Sequence, residues 1–382
     1  LADLKSGEIL AVRSAPNPQS VYGQDVISRI DYTIKRAEGI DELRAAVLTT
    51  LNKLIDDLCK ESAVSKERIY DTSIVGNTTM IHILLGISPE RIASSPFIPA
   101  FTGGKVFESR ELDLEESIPN SKIYIMPGIS AYVGSDITAG ILSSGFVEDS
   151  GNVLLVDIGT NGEMALKRGD RIFTCSTAAG PAFEGGNISQ GTIARSGAVD
   201  HVWLNGEGIG FSTVNGSNAS GICGSGLIDA IAVMIGAGIL TESGRIKGEY
   251  FELEGPAGIV RINKRDIREV QLAKAAIRAG VSILMDRAGI ETRDIDRILL
   301  AGAFGNYIDP ENALRIGMLP NVPVERVSPV GNAAGLGAVL AVLDSGIRER
   351  AENLSNNIYY VELSGRKDFN EIFVDNLALR EG

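Results

Sequence analysis

The sequence predicts an α/β fold of two lobes, each built around a buried β-sheet. Two continuous apolar runs, residues 153–156 and 298–300, are typical of strands that are buried on both faces. Helical spacing of apolar residues over 41–61 and 265–288 predicts amphipathic helices that cover such sheets. Glycine supplies 44 of 382 residues without a collagen period, so the excess belongs in turns and in close backbone approaches.

Residues 1–148 are predicted to form the first lobe, which a helix of small residues over 331–344 completes. Such a helix can cross another element closely, as a hinge or as ordinary tight packing. The other predicted elements of this lobe are a hairpin and loop over 1–35, a helix over 41–61, a strand over 73–75, a helix from 77 to 85, an ordered loop over 88–104, a strand over 123–126 and a helix over 133–143.

Residues 149–330 are predicted to form the second lobe, and residues 345–382 a strand–helix tail that we assign to neither lobe. The strand at 153–156 opens a three-stranded meander with two tight turns, because short polar and glycine-rich segments separate its apolar runs. The elements predicted after it are a glycine-rich stretch over 180–192, short strands over 197–215, an apolar helix over 224–240, a helix over 265–288 and a strand over 298–300.

The segment after the first buried strand is a candidate phosphate-binding turn. Asp157 ends the strand, and a glycine-rich turn follows with Gly159, Thr160, Asn161 and Gly162. Successive backbone N–H groups in such a turn can bind an anion, and a carboxylate at the strand end could hold the water shell of Mg²⁺. The alternative is a plain tight hairpin, because Asn-Gly is a strong hairpin signal.

Two further glycine-rich segments are candidates for contact with a nucleotide. Gly224 and Ser225 precede an apolar helix whose N-terminus could accept an anion or a ribose, although Ser225 could serve as the helix cap alone. Gly302, Ala303 and Gly305 follow the second buried strand, where a base or ribose could lie against the backbone. Close packing of a helix on a strand would require the same glycines.

Asp136 is a candidate catalytic carboxylate because it lies at the start of the helix predicted over 133–143. A carboxylate in this position could orient an attacking water molecule. The alternative is a favourable interaction with the N-terminal end of the helix dipole.

Composition excludes several classes of function. Lys and Arg total 36 against 49 Asp and Glu, and this net charge of −13 disfavours nucleic acid and anionic membrane as partners. No apolar run approaches the ~20 residues of a membrane span. The three cysteines lie far apart and form no CxxC pair, which favours buried thiols in a cytoplasmic protein over disulfides or a metal site.

The order of these motifs resembles that of the actin, sugar-kinase and heat-shock-chaperone ATPase superfamily. There the matching segments are called connect 1, phosphate 2, adenosine and connect 2. The resemblance implies a two-lobed actin-like, ribonuclease-H-like ATPase fold with a nucleotide cleft between the lobes. It also implies ATP and Mg²⁺ as cofactors, with Asp136 and Asp157 as catalytic residues and Asp157 as the metal ligand.

Several stretches narrow the resemblance to the ATPase portion of the reductive activators of corrinoid proteins. The segments that carry it are 17–23 (NPQSVYG), 75–80 (VGNTTM), 126–134 (MPGISAYVG), 180–188 (GPAFEGGNI) and 271–277 (QLAKAAI). Members of that family use ATP to help return an inactivated Co(II) corrinoid protein of a methyltransferase system to Co(I). The resemblance therefore implies such a corrinoid protein as partner, and it leaves a homodimer open.

The sequence departs from that family in two respects. The cysteines of an N-terminal ferredoxin-type domain with a 2Fe–2S cluster are absent, and so is a first phosphate motif, Asp-x-Gly-Thr, expected just before Leu1. We therefore expect a fragment of a longer polypeptide, whose 2Fe–2S ligands lie outside this chain.

Two other functions remain open at this stage. A small-molecule kinase of the same fold should have a polar acceptor pocket and should turn over without a protein partner. A regulatory protein should bind nucleotide and change shape without catalysis. Hydrolysis of ATP that a corrinoid protein stimulates would distinguish the activator from both.

Overall fold

The computed structural model describes residues 1–206, 208–302 and 305–380. The chain folds as two compact units, of which the first comprises Leu1–Ser143 and Ala333–Ile358. The second comprises Ser144–Asn332 and the C-terminal residues from Tyr359. The predicted tail thus contributes to both units, because its first helix belongs to the first unit and its last helix to the second.

Helices and strands alternate along the chain, as expected for an α/β fold. In chain order they are α1 (Val26–Lys35), α2 (Gly39–Ser62), β1 (Asp71–Ile74), α3 (Thr78–Leu84), β2 (Lys105–Glu108), β3 (Lys122–Ile125), α4 (Ser135–Ser143), β4 (Val153–Ile158), β5 (Gly162–Arg168), β6 (Arg171–Thr177), β7 (Ala198–Leu204), β8 (Ile209–Thr213), β9 (Gly221–Ile222), α5 (Gly224–Gly236), β10 (Tyr250–Gly255), β11 (Gly258–Asn263), α6 (Lys264–Ala288), β12 (Arg297–Ala301), α7 (Pro310–Arg315), β13 (Val327–Gly331), α8 (Ala333–Leu343), α9 (Ser345–Asn357), β14 (Ile358–Tyr360) and α10 (Lys367–Asp375).

The first unit contains a three-stranded sheet in the order β1–β3–β2. Strand β1 runs parallel to β3, and β2 runs antiparallel to it. One face of the sheet packs on α2 and α3 through an apolar cluster that includes Leu48, Ile81, Ile123 and Ile125. Asn77 caps α3, since its side chain accepts a hydrogen bond of 2.8 Å from Met80 N, which confirms the predicted helix start.

Helices α4 and α8 cross closely in the first unit. A Cβ atom placed on Gly337 would lie 2.3 Å from the carbonyl oxygen of Ala139, so only glycine permits this approach. At the N-terminus of α4, Ser135 follows Gly134, where a Cβ would lie 2.4 Å from the carbonyl oxygen of Gly76 and 2.5 Å from Asn77 Cα. The small residues of the predicted helix over 331–344 therefore serve close packing.

The second unit is built on a six-stranded sheet in the order β13–β12–β4–β5–β6–β14. Strands β4, β5 and β6 form the predicted antiparallel meander, while β12 runs parallel to both β4 and β13. Helix α6 packs on β5 and β6, and α5 packs on β7. A single apolar cluster joins β4, β12, α5 and α6, which makes the sheet rigid where its strands end.

Helix α6 begins and ends at clear signals. Asn263 and Asp266 form a capping box at its start, and Gly289 ends it in the left-handed conformation with φ of 66°. Its buried face carries Lys274, which is 1% exposed and donates a hydrogen bond to the carbonyl oxygen of Ala378. Burial, with the nearby charges of Arg278 and Arg380, lowers the pKa of Lys274 to about 7.

We expect the free energy of unfolding to rise with pH above 7 because of Lys274. Its pKa in the folded chain lies below the usual 10.5, so the unfolded chain binds the extra proton between these values. The gain in stability is complete above about pH 10.5, is lost as the pH falls from 10.5 to 7, and is absent below 7. Replacing Lys274 by Met should reduce the slope of the free energy of unfolding against pH by up to about 1.4 kcal/mol per pH unit. Urea unfolding between pH 7.5 and 9.5 measures this slope.

The exposed Lys53 supplies the control for this measurement. Lys53→Met should leave the slope unchanged. An equal slope in Lys274→Met and in the unsubstituted chain would contradict the lowered pKa.

Two sequence predictions on local structure are wrong, and one hairpin has no counterpart among the predicted elements. The loop expected within 1–35 contains α1, whose start is a capping box between Asp25 and Ser28. The hairpin β10–β11 was not predicted, although its apolar and polar residues alternate. The apolar helix ends at Gly236 rather than at residue 240, because Gly238 takes a positive φ of 67°.

Candidate functional site

The two buried strands predicted from the sequence lie side by side. Strands β4 and β12 are parallel neighbours, and Asp157 is in register with Ala301 at their carboxyl ends. The candidate phosphate-binding turn after β4 and the glycine-rich segment after β12 therefore emerge at the same edge of the sheet. Ligands of open α/β sheets bind outside the carboxyl ends of the strands. This edge is the candidate site of the second unit.

The turn after β4 is held in a compact conformation. Gly159 N donates to the carbonyl oxygen of Asn161 at 3.0 Å, and Gly180 N donates to that of Thr160 at 2.9 Å. Gly162 begins β5, where a Cβ would lie 2.9 Å from Ile277 Cγ1 on α6. The turn is thus a tight hairpin, which both interpretations of the sequence allow. It lies at the carboxyl end of β4.

Gly302 requires glycine for two reasons. Its φ is +102°, and a Cβ would lie 2.7 Å from the carbonyl oxygen of Ile158 and 2.8 Å from Asp157 Oδ1. Gly305 N donates a hydrogen bond of 3.1 Å to the carbonyl oxygen of Gly302. Ala303 lies outside the described residues. Gly302 therefore brings the backbone at the end of β12 close to Asp157.

Glu184 joins the site without having been predicted. Its carboxylate accepts hydrogen bonds from Thr160 N at 3.1 Å and from Thr160 Oγ1 at 2.5 Å. It ends a 3₁₀ helix, Pro181–Glu184, that lies between Gly180 and Gly185, both with positive φ. The sequence predicts only a glycine-rich stretch over 180–192, of which residues 180–188 carry part of the family resemblance. The glycines on both sides of Pro181–Glu184 are the sequence signal that could have predicted a carboxylate held on a tight turn.

A pocket of about 200 Å³ adjoins this carboxylate within the second unit. Gly224 and Ser225 at the start of α5 line it, together with Glu184 and with Tyr307, which follows the segment after β12. Of the glycine-rich candidates, Gly224 and Ser225 therefore line the pocket directly, while the turn after β4 is connected to it only through the hydrogen bonds from Thr160 to Glu184. Its remaining lining residues are Phe183, Thr192, Ile193, Ala194 and Cys223.

Ser225 does not cap α5. Cys223 occupies the N-cap position without a side-chain hydrogen bond to the helix, and Ser225 Oγ donates to the carbonyl oxygen of Asp200 at 2.9 Å. The hydroxyl therefore ties α5 to β7, and Gly224 and Ser225 at the start of α5 line the pocket.

Asp136 lies in the first unit, as the second residue of α4. Its Oδ1 accepts a hydrogen bond of 2.9 Å from Ile137 N, and Ser135 Oγ donates to the carbonyl oxygen of Gly76 at 3.1 Å. Burial raises the pKa of Asp136 to about 6, against two backbone hydrogen bonds that favour the charged form. The carboxyl can thus gain or lose a proton near neutral pH.

The residues at the sheet edge fit a magnesium ion that is bound mainly through water and phosphate. Mg²⁺ commonly takes one or two carboxylates and keeps several water ligands. Asp157 is partly exposed at the end of β4. Gly302, which has no side chain, lies beside its carboxylate. Groups of three or more metal-ligating side chains do not occur in the described ranges.

Two other features of the described chain bear on function. A groove of about 310 Å³ in the first unit is lined mostly by apolar residues and by none of the candidate site residues. Among the helices of residues 1–206, 208–302 and 305–380, none has the length and apolar character needed to cross a bilayer.

Two family models together match nearly the whole chain. The model described as the C-terminal domain of RACo, the ASKHA domain, matches residues 151–382. The model described as the RACo middle region matches residues 1–149. Both glycine-rich candidates and the turn after β4 lie within the ASKHA match, and Asp136 lies within the middle region.

Similar proteins carry names that refer to corrinoids. The chain is 34% identical over 404 residues to the corrinoid activation enzyme RamQ of Eubacterium limosum, covering 98% of this chain and 67% of that protein. It is 30% identical over 365 residues to the Co(II) methylated amine-specific corrinoid protein reductase of Methanosarcina barkeri, covering 87% and 65%.

A solved structure has the same fold over nearly the whole chain. The reductive activator for corrinoid, iron-sulfur protein superposes with a TM-score of 0.91 at 38% identity, covering 99% of this chain and 63% of that one. The chain therefore spans about two thirds of the length of these relatives.

Proposed function

The chain belongs to the RACo family, and on that premise we propose that it binds and hydrolyses ATP to drive the reduction of a Co(II) corrinoid protein to Co(I). Membership confirms the resemblance to reductive activators that the sequence indicated. The TM-score of 0.91 to such an activator confirms the actin-like ATPase fold.

One observation carries the proposal for nucleotide binding. Asp157, the turn after it and Gly302 meet at the carboxyl ends of β4 and β12, and the neighbouring pocket is lined by Glu184 and Gly224. Backbone N–H groups of such a turn suit phosphates, and the pocket suits part of a nucleoside. Gly159, Thr160, Asn161 and Gly162 would contact phosphate, while Gly224, Ser225, Gly302, Ala303 and Gly305 would contact the nucleoside.

Each carboxylate has a distinct proposed role. Asp157 would hold Mg²⁺ through its water shell, and the ion would supply charge neutralisation between the phosphate oxygens. Asp136 would orient the attacking water and accept its proton, for which a pKa near the working pH is favourable. Thr160 and the glycines around it would fix the orientation of the phosphates.

The longer polypeptide would supply the electron. We propose that a ferredoxin-type domain with a 2Fe–2S cluster, encoded with this chain, reduces the corrinoid protein of a methyltransferase system by one electron. Plant-type clusters have potentials near −400 mV. The family resemblance implies a lower potential for the Co(II)/Co(I) couple, so a step driven by ATP must favour the transfer.

The proposed function is tested by incubating the chain with Mg-ATP, a Co(II) corrinoid protein and a reduced low-potential ferredoxin. Visible absorption would report Co(I), and released phosphate would report hydrolysis. Hydrolysis that the corrinoid protein stimulates, together with Co(I) that requires ATP, is the expected result. Phosphorylation of a small molecule without a protein partner would favour a kinase instead. Nucleotide binding without turnover would favour a regulatory protein.

We expect the rate of ATP hydrolysis to fall as the pH decreases through about 6. The pKa of Asp136 is raised to about 6, so its carboxylate loses the ability to accept a proton below that value. Asp136→Asn should lower kcat by about 100-fold or more and remove the acidic limb of the pH profile.

The stability of the same variant supplies a separate check. Because the folded-state pKa lies above 3.8, the ionised carboxylate disfavours folding above pH 6, and this cost disappears as the pH falls below 3.8. The free energy of unfolding of Asp136→Asn, measured against that of the unsubstituted chain, should therefore be higher at pH 7.5 than at pH 4. An unchanged pH profile of kcat would remove Asp136 from the proton transfer.

A further inference from the structure

We propose that the Glu184 carboxylate occupies the phosphate position of the turn after β4 in the nucleotide-free protein and must leave when a nucleotide binds. The inference rests on the proposed function, since it concerns the regulation of the same site. It assigns to Glu184 a competing role that neither the family names nor the motif positions suggest.

The contact uses the donors that a phosphate would need. Thr160 N and Thr160 Oγ1 both donate to Glu184, at 3.1 Å and 2.5 Å. A carboxylate and a phosphate group accept hydrogen bonds from the same kinds of donor, and charged acceptors form the stronger bonds. The two acceptors cannot occupy these donors at the same time. Phosphate binding to Thr160 therefore requires that the Glu184 side chain move away.

The backbone holds the carboxylate over the turn from both ends of its short helix. Gly180 N, just before the helix, donates to the carbonyl oxygen of Thr160 at 2.9 Å. After the helix, Gly185 turns the chain with φ of 83°, and a Cβ there would lie 2.5 Å from Thr192 N. The helix position is thus fixed, and the side chain of Glu184 is the part that can rotate.

The charge of Glu184 is not balanced by a salt bridge to any residue in the described ranges. The side chain is exposed, so it can swing into solvent without a cost of burial. A phosphate that arrives at the turn meets this negative charge as well as occupied donors. Both effects weaken the binding of nucleotides more than the binding of an uncharged nucleoside.

The test compares ADP and adenosine on the unsubstituted chain, Glu184→Gln and Glu184→Ala by calorimetry, each with Mg²⁺ and with EDTA. The affinity for ADP should rise by about three- to tenfold in both variants, and more in Glu184→Ala, because Gln keeps an acceptor oxygen. Adenosine has no phosphate, so its affinity should change less than the affinity for ADP in both variants, although Glu184 also lines the pocket. Glu325→Gln, on the 3₁₀ helix Val324–Arg326, is the matched exposed control and should change neither affinity.

Each other result has a definite meaning. Weaker binding of Mg-ADP in Glu184→Gln would show that the carboxylate supports the metal–nucleotide complex, and it would overturn the proposal. Unchanged affinity for ADP, with clear binding to the unsubstituted chain, would overturn it while leaving the proposed function intact. If neither the chain nor its variants bind ADP, both the proposal and the nucleotide-binding function fail.

Discussion

Replacing Asp157 by Asn is expected to lower the rate of corrinoid-stimulated ATP hydrolysis by about 100-fold or more. The carboxylate at the end of β4 is the proposed ligand of Mg²⁺, and a neutral amide would hold the ion and its water shell far less strongly. Without the Asp157 carboxylate, Mg²⁺ would be held less firmly beside the phosphates, whose negative charge it would neutralise in the transition state. We therefore expect kcat to fall more than the affinity for the nucleotide. Steady-state kinetics over a range of Mg²⁺ concentrations measures both.

The fold should tolerate this substitution because the backbone of Asp157 is fixed by its neighbours. Its position pairs with Ala301 on β12 and with Glu163 on β5. Asp170→Asn is the matched control, since Asp170 is exposed at the turn between β5 and β6, at the opposite end of the same meander. Full activity in both variants would mean that the edge of this sheet does not bind the metal–nucleotide complex.

Replacing Gly337 by Ala is expected to destabilise the first unit by about 2 kcal/mol. The new Cβ would lie 2.3 Å from the carbonyl oxygen of Ala139, so α8 would have to move away from α4. Forcing atoms into a packed contact typically costs about 1–3 kcal/mol, and backbone on the opposing side leaves little room to relax. The helix propensity of Ala offsets only about 1 kcal/mol of this cost.

Thermal and urea unfolding of the variant measure the effect. Gly236→Ala is the control, because Gly236 is also helical and the nearest atom to a new Cβ, Arg315 Nη1, is 3.9 Å away. That variant should be unchanged or slightly more stable. Equal stability of Gly337→Ala and the unsubstituted chain would show that the crossing of α4 and α8 is not tightly packed.

The interior elements of the fold were predictable because their signals are local. The apolar runs became β4 and β12, and the meander followed from the turns between its strands. Helix α6 begins one residue before the predicted position, since Asn263 and Asp266 form a cap that depends only on neighbouring residues. The hairpin β10–β11 was missed because its exposed residues obscure a short apolar alternation.

The candidate site was predictable in its parts and not in its assembly. The sequence indicated Asp157, the turn after it and the glycines after β12 as separate weak motifs. It gave no sign that Glu184 binds Thr160, which lies 24 residues away along the chain. It also favoured Ser225 as a possible cap, whereas the hydroxyl bonds to Asp200 O on β7.

The sequence by itself determined the fold class, the family and the positions of the glycine-rich turns, because apolar periodicity and glycine placement are properties of short segments. Only the tertiary structure decided which strands are neighbours, which carboxylate faces the turn after β4 and which lysine is buried on α6. Those outcomes depend on hydrogen-bond register and on packing between residues far apart in the chain. Local residue patterns do not specify such long-range contacts, so they had to be seen in the folded molecule.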